Sequence, residues 1–306
     1  MAYYSGTASS LADLRTALLT HAQTDGWVLT GDVLSKAGVF FQIQVTADNI
    51  TCLGCESNAV ANPAPGVVMI GRIFFRSGFT TAEIAFPCNY EVFGFAQELY
   101  LVVNYSVNKY QWMTFGKSTV PGLPGQGGFV GASIGSLIPG HQGIVTEQFI
   151  SISSNSGGSF GTTSHVAPAM LWHITPTYAS ARNCWVNHNL DAHGWTYNGA
   201  AGDSPVGIRH ATTLIDLQPS VWNSEATLLP MRAYKQRPSF KSSLILDLEH
   251  SRHLRIDNLA PGDILVIGSD KWKVFPFYTK NASARNGGNP VDHTGTFGWA
   301  IRYEGP

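Results

Sequence analysis

Hydrophobic and polar positions form their clearest pattern between residues 99 and 135, LYLVVNYSVNKYQWMTFGKSTVPGLPGQGGFVGASIG. Residues 99–103 are an uncharged run, rich in β-branched and aromatic side chains and too short for a surface helix. They predict a strand covered on both faces. Asn108 and Lys109 lie between two apolar segments and predict a hairpin tip. Tyr110, Trp112 and Thr114 then alternate with Gln111, Met113 and Phe115, which is the period of a strand. Gly116, Pro121, Gly122, Pro124, Gly125, Gly127 and Gly128 follow, and they predict a glycine-rich loop.

Upstream, Leu11, Leu14, Leu18 and Ala22 recur at helical spacing behind Ser9 and Ser10. Asp13 completes a weak capping box and Gly26 closes the segment, so a helix packed on a sheet is expected. Short strands are expected at 27–29, 33–35, 39–45 and 50–53. In 39–45 the side with Phe40, Gln42 and Gln44 is polar and the other apolar, as in a half-buried antiparallel strand. Further strands are expected at 67–75 and 84–86, with a loop at 56–66. Downstream, strands are expected at 169–174, 212–217, 243–248, 253–256, 264–267, 272–277 and 297–303.

The pattern therefore predicts a mainly β (α+β) protein: antiparallel, sandwich-like sheets, one N-terminal helix and long Gly/Ser-rich loops. Residues 1–120 read as the helix and an antiparallel sheet, 121–164 as loops, and 165–306 as a second β-rich part. Whether the two parts share one core stays open at this level. Loops as long as 121–143 and 151–164 are usually functional or ordered by a partner.

Composition sharpens this picture. Charged residues are 13% of the 306, against roughly 25% in ordinary soluble domains. Low charge with 11% aromatics fits a subunit largely covered by neighbours, and equally a neutral monomer with a Ser/Thr/Asn surface. The net charge is −1, and Lys235, Arg237 and Lys241 are scattered rather than clustered, so no nucleic-acid partner is expected. MAYYSGTASS lacks the basic and apolar regions of a leader, and no apolar run approaches the roughly 20 residues of a membrane span. Folding in the cytosol without a membrane partner is the expectation, with the sequons at Asn49, Asn104 and Asn281 read as chance. Cys52, Cys55, Cys88 and Cys184 are expected to be buried free thiols.

Candidate chemistry is sparse. Gly131-Ala132-Ser133-Ile134-Gly135 matches the G-x-S-x-G elbow of serine hydrolases, with Asp191 and His193 downstream in the matching order. The elbow needs a helix directly after the serine, and Pro139-Gly140 argues against one. Cys52-Leu53-Gly54-Cys55 could join Cys184, His188 or His193 in a metal site, but a second close ligand pair is missing. His250 and His253, among Asp247, Glu249, Arg252, Arg255 and Asp257, read either as an acid–base cluster or as the mixed charges of a strand edge, and the edge is favoured. Tyr100, Tyr105, Tyr110 and Trp112 offer a sugar-stacking platform or, as is commoner, core and interface residues. No catalytic residue, cofactor or metal is assigned.

Residues 99–129, residues 253–277 (HLRIDNLAPGDILVIGSDKWKVFPF), the closing FGWAIRY at 297–303 and the opening MAYYSGTASSLADLRTALLTHAQTDGWVL resemble virion structural proteins of tailed bacteriophages. The resemblance implies a non-enzymatic, multi-copy component of the neck, collar, tail or baseplate. It is made in the host cytoplasm and works in the virion, with copies of itself and other virion proteins as partners. Tyr110, Trp112, Phe115 and Phe129 are then the candidate subunit-interface residues, ordered with the adjoining loops against a neighbour. The alternatives are a receptor- or carbohydrate-binding tail or baseplate module, with a host glycan as partner, and a serine hydrolase.

Overall fold

The computed structural model describes residues 1–45, 49–59, 67–71, 73–74, 81–82, 84–132, 134–136, 187–192, 194–197, 219–220, 222–223, 225–239, 241–276, 280 and 297–306. In chain order the elements are β1 (Ala2–Ala8), α1 (Leu11–Thr24), β2 (Val28–Thr30), β3 (Val33–Lys36), β4 (Val39–Val45), β5 (Asn49–Cys55), β6 (Val67–Gly71), β7 (Ile73–Phe74) and β8 (Thr81–Ala82). There follow β9 (Cys88–Gly94), β10 (Glu98–Ser106), β11 (Lys109–Lys117), β12 (Gly128–Ala132), β13 (Ile134–Ser136), β14 (Asn187–His188) and β15 (Thr196–Tyr197). The chain closes with β16 (Leu229–Arg237), β17 (Lys241–Arg255), β18 (Ile264–Ile267), β19 (Asp270–Pro276) and β20 (Phe297–Arg302).

The expected mainly β fold with one N-terminal helix is what the chain adopts. Three sheets, antiparallel in every pairing, carry it, beside the small β7–β8 hairpin. The central sheet has the order β1-β9-β10-β11-β12-β14-β15. A second sheet, β13-β6-β5-β4-β3-β2, covers one of its faces, and a third, β16-β17-β20-β19-β18, covers the other. Strand parity decides which side chain faces which layer. Phe115 points to the second sheet and meets Phe41 at 5.0 Å and Trp27 at 5.3 Å. Trp112, three residues earlier, points to the third and meets Trp299 at 4.7 Å. This three-layer sandwich is why residues 98–103 and 111–116 are continuously buried. One core cluster runs from Ala8 to Tyr303 and joins both parts of the chain.

Local signals set the helix. The Ser10 hydroxyl accepts from the Asp13 backbone N–H at 3.1 Å, and the Asp13 carboxylate reaches back to Ser9 rather than Ser10, accepting from its N–H at 2.8 Å. Leu14, Leu18, Leu19 and Ala22 are buried, and Gly26 takes the left-handed conformation, φ +84°, just after the C-cap. Losing the cap leaves one amide of the first turn unbonded, so Ser10→Ala is expected to lower stability by about 1 kcal/mol. Urea denaturation of the variant beside the parent checks this.

Several predicted boundaries move. β1 and β9 had no counterpart in the pattern, and residues 84–86 are not a strand. The tip of the β10–β11 hairpin is at Val107-Asn108, with Asn108 at φ +57°. Residues 243–248 and 253–256 belong almost wholly to one 15-residue strand, β17. The glycine-rich stretch is not all loop, because residues 128–132 form β12, buried at every position. Glycine there allows close packing: a Cβ on Gly128 would lie 2.9 Å from the Asn189 amide oxygen and 3.0 Å from the Trp195 ring. The loop expected at 151–164 and the strands expected at 169–174 and 212–217 lie outside the described residues.

Candidate functional site

The aromatic residues proposed for a subunit interface are mostly core. Trp112, Phe115 and Phe129 are wholly buried by the chain itself, and only Tyr110 is partly exposed. The first three therefore have no surface to offer a neighbour. Tyr100 and Trp112 are also fully enclosed and Tyr105 nearly so, which removes the sugar-stacking platform. For Tyr100 and Trp112 the cause is the third sheet, whose Trp299 packs on both, and for Phe115 it is the second, through Phe41.

The hydrolase pattern lacks its architecture. Residues 134–136 follow Ser133 as a strand, paired with Met69, Val68 and Val67, where an elbow needs a helix. Ser133 and His193 lie outside the described residues. Asp191 is held by Arg237 through two hydrogen bonds of 2.7 and 3.0 Å, which tie the 189–192 turn to β16. The cysteines likewise do not converge. Cys52 and Cys55 sit three apart on β5 and so face opposite sides. Burial pushes both thiols up, Cys52 strongly. Cys184 lies outside the described residues, and no group of metal-holding side chains is found among those described. His188 accepts the Leu190 N–H at its Nδ1, 3.2 Å.

The residues around His250 make the most organised polar site. The expected strand edge is a correction: β17 lies inside its sheet, between β16 and β20. Its register against β16 jumps from Met231↔Leu248 to Pro230↔Arg252, so residues 249–251 bulge out of that ladder. Pro230 has no N–H to give there. The bulge is satisfied by two side chains of opposite charge. Glu98, at the start of β10 in the central sheet, accepts the Glu249 N–H at Oε1, 3.0 Å, and the His250 N–H at Oε2, 3.3 Å. The Tyr100 hydroxyl donates to the same Oε2 at 2.6 Å. Arg252 supplies the other half, donating Nη1 to the carbonyls of Ser251 at 2.7 Å, Glu249 at 2.8 Å and Leu248 at 3.2 Å, with its guanidinium over Trp272.

The electrostatics follow from burial. Glu98 is 2% exposed, and desolvation raises its carboxyl to about 7, against the hydrogen bonds that favour its anion. The Tyr100 hydroxyl is pushed far up, by burial first and the Glu98 charge second. His253, fully buried, is held neutral by desolvation, its imidazole lowered to about 3. The His250 ring stacks on Phe95 at 3.9 Å and is lowered chiefly by burial. Arg255 and Asp257, both buried, form a two-bond pair at 2.9 Å. The arrangement holds charge in place and joins two sheets. Sequence reasoning found the β17 residues but missed Glu98, whose only mark was a lone acid at the head of an apolar strand.

The described surface adds one more feature. Ile264, Val266 and Ile267 of β18 are exposed, as is Trp222, at 95%. No helix among the described residues is long and apolar enough to cross a membrane. No model of a known protein family matches this chain, and no curated protein matches it either.

Proposed function

We propose that this chain is a non-enzymatic structural subunit of a tailed-bacteriophage particle, assembled in several copies at the neck, collar or tail. The observation that carries the multi-copy part is β18. Among the described residues it is an edge strand, whose four residues, Ile264-Leu265-Val266-Ile267, contain no charge and no proline, and three of them are exposed. Natural proteins guard such edges unless a neighbour covers them. The ionisable clusters described above point the same way, being engaged in holding backbone rather than converging on an open cleft. The phage attribution rests on the resemblance of residues 99–129, 253–277 and 297–303. The test is to purify particles from cells that make the chain and label them with an antibody to it. Labelling at a single position on the particle is expected. Absence from particles, by labelling and by mass spectrometry, would refute the reading.

One observation favours a receptor- or carbohydrate-binding module instead. Trp222 stands out of a turn closed by the Ser220 N–H to the Glu225 carbonyl, 2.8 Å, as an aromatic face ready to stack. Saturable glycan-array binding lost in Trp222→Ala would favour this second reading.

A further inference from the structure

We propose that β1 and β18 together form a face at which a second copy of this chain docks edge to edge. This deepens the multi-copy reading above and rests on it.

Both strands are sheet edges, β1 of the central sheet and β18 of the third, and neither has a second strand partner among the described residues. They open on the same side of the sandwich. Lys273, on the strand next to β18, donates to the Tyr3 hydroxyl of β1 at 3.1 Å and to Glu91 of β9 at 2.5 Å. Tyr3 also meets Tyr303 edge-on at 4.9 Å. β1 thus lies over β19, the neighbour of β18, with the two sheets about 10 Å apart, the thickness of a sheet pair. Each presents a row of backbone donors and acceptors, and neither AYYSGTA nor ILVI contains a charge. The opposite edge of the third sheet differs. β16 carries Pro230, Arg232, Lys235 and Arg237, the features that block strand addition.

Charge selects the occupant. A neutral edge gains most from another neutral edge, since a charged strand would leave its charges unpaired in the seam. The ends of β18 are self-complementary. Exposed Asp263, whose carboxylate accepts the Ala260 N–H at 2.6 Å, stands before the strand, and exposed Lys271 lies on β19 opposite Val266, beside Asp270, which is paired with Arg302 at 2.8 Å. When β18 meets β18 of a second copy antiparallel across a two-fold axis, the Asp263 end of each meets the Lys271 end of the other. The face is small: residues 2–8 and 263–271 with Arg302 and Glu304 fall just short of the roughly 20 residues a side of a standard interface, which fits a weak, concentration-dependent dimer.

The experiment is sedimentation of the purified chain, with Val266→Lys on β18 and Ser5→Lys on β1, both at exposed side chains. Amide hydrogen exchange is followed in dilute and concentrated samples. Expected is a concentration-dependent dimer whose dissociation constant rises about tenfold or more in each variant, with the melting temperature of dilute, monomeric samples unchanged. Amides of residues 2–8 and 264–267 should gain protection as concentration rises. Oligomers that persist unchanged in both variants would overturn this interface and leave the multi-copy reading standing. A chain that stays monomeric alone, yet is found in particles, would overturn self-docking only. Protection that does not depend on concentration would assign the edges to another part of the same chain and would likewise overturn the proposal.

Discussion

Glu98→Gln is expected to be less stable than the parent near about pH 4 and to lose that deficit by about pH 8. The reason is the position of the carboxyl, raised by burial to about 7 in the fold from an ordinary value of 4.5. Between those two values the folded chain keeps a proton that the unfolded chain releases. Parent stability therefore falls as pH rises through this window, by about 3 kcal/mol in all. Glutamine does not titrate and loses that dependence. At the acid end the variant shows only the lost acceptor, since its amide NH₂ faces the His250 N–H or the Glu249 N–H, a deficit of about 1–3 kcal/mol. His253 works in the opposite sense. Its imidazole, lowered to about 3, makes stability fall as pH drops below its unfolded value near 6.5. In the parent the two slopes oppose each other between 4.5 and 6.5, and the curve flattens. In the variant the histidine slope stands uncovered, up to about 1.4 kcal/mol per pH unit. Groups such as His250 and His21 contribute equally to both proteins and drop out of the difference. Urea titrations of both proteins across this range check the result, and parallel curves would show that Glu98 is not held as described.

The same carboxylate shows how far the sequence could be read. The helix was legible because its signals are local: a serine cap, a leucine stripe and a closing glycine within 18 residues, Ser9 to Gly26. The β10–β11 hairpin was legible for the same reason. What eluded pattern reading depends on a third layer. An uncharged, aromatic face looks the same whether it awaits a neighbouring subunit or the chain's own distant strands, so Trp112, Phe115 and Phe129 read as interface when they are core. β1 escaped notice because Ser5, Gly6 and Thr7 blur its alternation, although Tyr3 and Tyr4 face different layers. The β17 cluster misled in the other direction. Its charges suggested an exposed edge, because the acid that satisfies the bulged backbone among them, Glu98, is about 150 residues away in the chain. β18 was expected as a strand where it occurs, but its place at an edge among the described strands is a property of sheet order.

Trp112→Ala is the sharper test of the layered core, and it is expected to lower stability by about 3–5 kcal/mol. The indole is completely buried, packed on Trp299 at 4.7 Å where the central and third sheets meet. Sheets cannot readily close over a missing indole, because Tyr100 and Trp299 are themselves held at 5.7 Å by the strands that carry them. The loss combines transfer of a large apolar surface with the cavity left behind. Trp112→Phe, which keeps a ring between the sheets, should lose markedly less. Val266→Lys, at an exposed edge position, should leave the melting temperature of dilute samples where it is and change only association. These variants separate two uses of apolar surface that composition cannot tell apart, one inside the subunit and one between subunits. Should Trp112→Ala melt like the parent while dissociating oligomers, the indole would belong to a subunit contact, and the three-layer packing would be wrong.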